Sequence, residues 1–121
     1  MNNEIVNTWQ SLSASLLEKF KIQLQKDFEQ SNYPVDFISG LSGDYHTLVN
    51  TLVRHLKEAE NKTSMNLMQL LYRVDISESQ LKQYLHVNRN KEYFEVIAEL
   101  IIKRELQKVV IKEKLKDGNN S

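Results

Sequence analysis

Ile5, Trp9, Leu12, Leu16 and Phe20 recur at spacings of three and four residues. At 100° per residue they fall in one stripe, continued more loosely by Leu24 and Phe28. The pattern predicts a long first helix over about Asn3 to Gln30. It should end before Pro34, because a proline pushes the residue before it, Tyr33, out of the helical region. Residues 31–43 then read as a connection that Phe37, Ile38 and Leu41 pin to the core as a short helical turn. Asp44 is placed to cap a second helix, since its carboxylate can accept from the unpaired amides of a first turn. That helix has an apolar face of Tyr45, Leu48, Val49, Leu52, Val53 and Leu56 and runs to about Glu60.

Thr63 or Ser64 is the expected cap of a third helix carrying Leu67, Met68, Leu70, Leu71 and Val74. Ser77, with Gln80 three residues on, forms a capping box that opens a fourth helix. Its inward residues are Leu81, Tyr84 and Leu85, and it fails near Val87 to Asn90. The last helix, about Asn90 to Lys116, starts acidic at Glu92, Glu95 and Glu99 and ends basic at Lys108, Lys112, Lys114 and Lys116, which complements the helix dipole. Its apolar stripe shifts. Phe94, Ile97, Ala98 and Ile101 share one face, whereas Ile102, Leu106, Val109 and Val110 lie a third of a turn or more away. Either this helix is nearly surrounded by protein, or its second half packs on something different from its first.

Composition supports the helical reading. One proline and three glycines in 121 residues, with many Leu, Lys, Glu and Gln, are the punctuation of long helices and few turns. The expectation is an all-α, compact bundle of four to five helices spanning residues 1–116 as a single domain, followed by a disordered polar tail over residues 117–121. Cysteine is absent, which removes disulfides, thiolate metal sites and cysteine nucleophiles. The longest apolar runs are two or three residues and Met1 to Asn7 has no signal-peptide pattern, so no membrane partner and a cytoplasmic location are expected. Sixteen basic residues balance sixteen acidic ones, which argues against a surface that is wholly a polyanion-binding field and leaves room for a local basic face.

The most informative local pattern is LLYRVDISESQLKQYL, Leu70 to Leu85. A helix ending near Val74, a tight turn at Asp75 and Ile76, and a capped helix from Ser77 match the hydrophobic spacing of a helix-turn-helix. Leu70, Val74, Ile76, Leu81 and Tyr84 fall where that motif buries side chains. Asp75 takes the place usual for glycine, and Asp tolerates left-handed geometry better than most residues. Leu71 departs from the motif, since a small residue normally stands there. As a DNA reader, the segment would turn Ser77, Ser79, Lys82 and Gln83 to the major groove, with Gln83 suited to an adenine edge and Lys82 to guanine or phosphate. Against this stand Glu78, Leu71, the zero net charge, and the fact that two helices joined by any tight capped turn produce the same spacing.

The shifted stripe of the last helix offers a second candidate: an apolar patch of Ile102, Leu106, Val109 and Val110, rimmed by Lys103, Lys108 and Lys114, that buries against a second copy or another protein. Catalytic or metal chemistry finds no such support. His55 and Glu58 lie three apart on one helix, but di-metal helix pairs need Glu before His and several inward carboxylates, so both read as solvated surface residues. There is no HExxH, glycine-rich phosphate loop or nucleophile elbow, and Ser39, Ser42 and Asp44 are explained by turn and cap chemistry. No cofactor is expected.

The strings LLYRVDIS at Leu70 to Ser77 and IAELIIKRELQKVVI at Ile97 to Ile111 resemble a group of short, uncharacterised all-helical proteins of Bacteroidetes. The resemblance covers roughly the C-terminal half and includes the Tyr72-Arg73 pair. It implies a bacterial, cytoplasmic, helical domain and carries no activity with it. The sequence therefore favours a non-enzymatic protein-interaction module, self-associating through the last helix, with a helix-turn-helix DNA-binding regulator as the alternative.

Overall fold

The computed structural model describes residues 12–62 and 66–119. Five α-helices and one 3-10 turn make up these residues, and they form an all-helical bundle. The helices are α1 (Ala14–Gln30), α2 (Tyr45–Glu60), α3 (Leu67–Val74), α4 (Glu78–Val87) and α5 (Tyr93–Asn119), with the 3-10 turn at Ile38–Gly40.

Helix α1 is shorter at its start than the apolar stripe suggests. Ser13 has extended backbone angles and its hydroxyl accepts from the Leu16 amide at 3.2 Å, so the helix begins at Ala14. Ile5 and Trp9 lie outside the described residues. The stripe itself is sound, since Phe20, Leu24 and Phe28 are buried and Leu12 and Leu16 pack partly against them. The chain leaves α1 through Asn32, at φ 61°, and returns along the connection, where Ile38 and Leu41 are buried and Phe37 sits edge-on to Phe28. At Gly43 the connection passes Leu12 so closely that an added Cβ would lie 3.2 Å from the Leu12 carbonyl. The Leu12 amide donates to the Gly43 carbonyl at 3.1 Å.

Asp44 caps α2 as expected, accepting from the Thr47 amide at 3.0 Å, and Leu48, Val49, Leu52 and Leu56 fill the core below it. The cap of α3 is Asn66, whose side chain accepts from the Gln69 amide at 3.2 Å. Thr63 and Ser64, the expected caps, lie outside the described residues.

Helix α5 is the central element. It packs on α1, α2, α3 and α4, and Val96, Ile97, Ala98, Ile101, Ile102, Leu106 and Val109 are all buried. At 27 residues it spans about 40 Å. A helix surrounded in this way has no single apolar face, because successive neighbours approach from different sides, and this accounts for the shift in its stripe. The helix continues to Asn119, through the first residues of the segment that composition assigns to a tail. Among the described residues no helix is long and apolar enough to cross a membrane.

Candidate nucleic-acid interface

Helix α3 is stopped by backbone chemistry at Asp75, which adopts the left-handed conformation at φ 76° and ψ 47°. The Ile76 amide donates to the Leu71 carbonyl at 2.8 Å and the Asp75 amide to the Tyr72 carbonyl at 3.0 Å. These two bonds form a Schellman closure, which satisfies carbonyls that a helix end leaves unpaired. Leu71 and Ile76, which such a closure brings together, are both buried in the core. Two residues after the left-handed turn, Ser77 starts α4 with both halves of its capping box in place: the Ser77 hydroxyl accepts from the Gln80 amide at 3.1 Å, and the Gln80 side chain accepts from the Ser77 amide at 2.9 Å.

Eight residues of α3, a three-residue turn and ten residues of α4 thus follow one another as two helices joined by a tight, capped turn, with the spacing of a helix-turn-helix. Leu70, Val74, Ile76 and Leu81 are buried and Tyr84 is half-buried. The large Leu71 is accommodated, with 1 % of its surface exposed.

Helix α4 packs chiefly on α5, so its opposite side is open. Ser79, Lys82, Gln83 and His86 stand at i, i+3, i+4 and i+7 on that side, all exposed. Ser77 is exposed at the start of the helix and its hydroxyl lies 3.2 Å from that of Ser79. The side chains of Lys82, Gln83, His86 and Arg89 have no hydrogen-bond or ion-pair partner among the described residues. The four sequence-predicted residues Ser77, Ser79, Lys82 and Gln83 are therefore brought together on one accessible face.

The charge of this unit differs from that of the whole chain. Residues 66–91 contain two acids, Asp75 and Glu78. Asp75 is neutralised by Arg104 of α5, whose Nη2 lies 2.5 Å from Oδ2. Lys91 is paired with Glu99. Glu78 then faces three cations without ion-pair partners among the described residues: Arg73, Lys82 and Arg89. Periodicity gave no indication of Arg73, His86 and Arg89, because their role depends on which neighbouring charges are already paired.

The residues of the other candidate surface are largely buried within the chain. Ile102, Leu106 and Val109 are 0 %, 1 % and 4 % exposed within the single chain, and Val110 is half-buried. Three of the four residues expected at a protein–protein contact are core, because this stretch of α5 is covered by its own neighbours.

His55 is also less solvated than expected. Its ring stacks on Phe37 with centroids 3.9 Å apart, and burial, with Arg54 adding to it, holds its pKa below the usual histidine value. Glu58 is exposed, 3.6 Å from His55 Nδ1. Among the described residues no group of three or more His, Cys, Asp or Glu side chains is placed to hold a metal ion.

No protein-family model matches the chain. No curated protein and no solved structure matches it either.

A second polar centre lies between α1, α3 and α5. Lys108 Nζ lies 2.7 Å from Asp27 Oδ2, 3.3 Å from Glu105 Oε1 and 3.2 Å from the Arg73 carbonyl. Gln23 donates to Asp27 at 3.2 Å and accepts from Lys112. Glu105 is fully buried and its Oε2 has no donor. Burial, a hydrogen bond with Asp27 and the Asp27 charge push the Glu105 carboxyl up to about 9, so it is carried as the neutral acid at neutral pH.

Proposed function

We propose that this domain binds duplex DNA and reads its sequence through the exposed face of α4. The observation that carries the reading is the left-handed turn at Asp75, which joins α3 to a capped α4 whose outer residues, Ser79, Lys82, Gln83 and His86, are exposed, the last three without side-chain hydrogen-bond or ion-pair partners among the described residues. A ten-residue helix is about 15 Å long, which suits a major groove about 12 Å wide. Gln83 has the donor and acceptor to pair with an adenine edge, and Lys82 can donate to guanine. Arg73 in the last turn of α3 and Arg89 just past the end of α4 supply cations for phosphate. The balanced total charge is no obstacle, since Glu78 is the one acid of this unit without an ion-pair partner among the described residues and the surplus on the unit is positive.

Self-association through the second half of α5 would require Ile102, Leu106 and Val109 to leave a core they already fill, so protein binding there is not the preferred reading.

The test is selection from a random duplex pool at low salt, followed by anisotropy titrations on the enriched duplex and on random duplex. Enrichment of a defined sequence is expected, together with a log K that falls linearly with log salt concentration. Gln83→Ala should cost roughly tenfold or more on the enriched duplex and little on random duplex. A protein that retains no duplex at low salt, or enriches no sequence, would end the reading.

A further inference from the structure

We infer that Arg104 is a positioning residue: by clamping the left-handed turn at Asp75 to α5, it fixes the angle at which α4 is presented. The inference rests on the DNA-reading proposal for its consequence, and on distances for its mechanism.

Asp75 stands where glycine would adopt φ 76° at lower conformational cost. What Asp adds is a carboxylate, and Arg104 holds it. Nη2 reaches Oδ2 at 2.5 Å while Nε donates to the Asp75 carbonyl at 3.3 Å, so one guanidinium grips both the side chain and the backbone of the turn. Nη1 donates to Gln107 Oε1 at 2.7 Å, which orients the guanidinium from the next turn of α5. One helical turn beyond Arg104, Lys108 donates to the Arg73 carbonyl at 3.2 Å and is itself anchored by Asp27. The end of α3 and the turn are thus tied to α5 at two successive points, and α4, which packs chiefly on the same helix, takes its direction from it.

A short interhelical turn without side-chain ties leaves the angle between its helices to contacts made further along them, and Leu81 is the one buried residue of α4. The clamp adds a constraint at the turn itself to the Lys103–Tyr84 bond that ties α4 to α5 further along. Positioning of this kind bears on base contacts, which need alignment within a fraction of an ångström, far more than on phosphate contacts by long flexible cations. Arg104 itself is committed on three sides and stands apart from the open face of α4, so its removal changes the orientation of the reader and leaves the number of phosphate contacts unchanged.

The experiment uses the whole chain with Arg104→Gln, Arg104→Lys, Asp75→Gly and the Asp75→Gly/Arg104→Gln double variant. Amide hydrogen exchange over Ile76 to Gln80 is measured without DNA, and affinity is measured for the enriched and the random duplex across a salt series. Arg104→Gln should speed exchange at the turn and weaken the enriched duplex roughly tenfold, with random-duplex affinity and the salt slope unchanged. Arg104→Lys should fail to restore the affinity, because a single ammonium cannot hold carbonyl and carboxylate in the same fork. In the Asp75→Gly background, Arg104→Gln should have a much smaller effect than in the wild-type chain, which marks the two residues as acting together. Unchanged exchange and unchanged affinity in Arg104→Gln would overturn the inference. Equal loss on both duplexes with the salt slope reduced by about one would also overturn it, making Arg104 a phosphate contact. If the wild-type chain binds no duplex, the DNA-reading proposal fails, and the exchange rates still decide the clamp: faster in Arg104→Gln supports it, unchanged overturns it.

Discussion

Glu105 and Asp27 share a single ammonium, that of Lys108, which lies 2.7 Å from Asp27 and 3.3 Å from Glu105 while Glu105 has no exposed surface at all. One cation cannot compensate two buried carboxylates, so one of them keeps its proton. The two are pushed in opposite directions. Burial raises both, but Asp27 also receives hydrogen bonds from Glu105, Lys108 and Gln23 that bring it below its ordinary value, whereas Glu105 lies against the negative charge of Asp27.

The pair gives the fold a defined pH dependence. Between the ordinary glutamate value of 4.5 and about 9, an unfolded chain releases the Glu105 proton and the folded one retains it, so stability falls as pH rises through that window. Asp27 acts on the other side. Its lowered value means that stability is lost as pH falls below 3.8, when the carboxylate held by Lys108 is protonated. The contribution of this pair should therefore be greatest near pH 4 to 5. Glu105→Gln keeps a donor for Asp27 without an ionisable proton, and at pH 8 it should stabilise the domain by on the order of 3 kcal/mol. Urea titrations of both proteins from pH 4 to 9 check this, and parallel profiles for the two would contradict it.

Lys108→Met should have the opposite effect. It leaves Asp27 buried without its cation and the Arg73 carbonyl without its donor, at a cost of about 3 kcal/mol or more at neutral pH. Combining it with Asp27→Asn should recover much of the loss. A double variant as unstable as the sum of the two single ones would show that the ion pair is not the reason Lys108 matters.

Val109→Glu separates core from contact surface. Val109 is 4 % exposed inside one chain, so a carboxylate there meets apolar neighbours and the domain should melt tens of degrees lower or fail to fold. Circular dichroism and light scattering on the same sample distinguish the outcomes. A well-folded variant that changes only from dimer to monomer would restore the apolar patch of α5 as an interface.

Ser77→Ala removes one half of the capping box at the start of α4 and should cost about 1 kcal/mol. The loss should be recovered by Ser77→Asp, which restores an acceptor for the Gln80 amide. Equal stability of Ser77→Ala and wild type would mean that α4 is held by α5 alone.

Much of this architecture was legible in the sequence because it rests on local rules. The caps Asp44 and Ser77, the left-handed Asp75 and the apolar faces of α2 and α3 follow from side-chain chemistry within a few residues. Apolar residues at helical spacing before Ala14, namely Ile5, Trp9 and Leu12, extended the expected helix past its cap, since periodicity does not register that Ser13 caps α1. For α5 the same method gave two alternatives, because a drifting stripe is produced equally by a partner outside the chain and by enclosure within it. The Asp27–Lys108 bond gave no local signal, because residues 81 apart in sequence meet only once the fold exists. The candidate site was visible as four residues, and its charge was not, because the neutralisation of Asp75 by Arg104 depends on a contact 29 residues away.

The central position of α5 also affects how the chain reaches its native state. Small helical bundles fold fast when neighbours in sequence are neighbours in space. Here three polar ties run between the beginning and the end of the described chain: Lys19 to Glu113 at 2.9 Å, Gln23 to Lys112, and Asp27 to Lys108. Helices α1 to α4 have no complete core to collapse onto until α5 arrives among them, so the loop closed at the transition state is long and its entropy must be lost before most of the apolar burial is gained. The domain should accordingly fold more slowly than its helical content suggests, with the pairing of its first and last helices as the step that sets the pace.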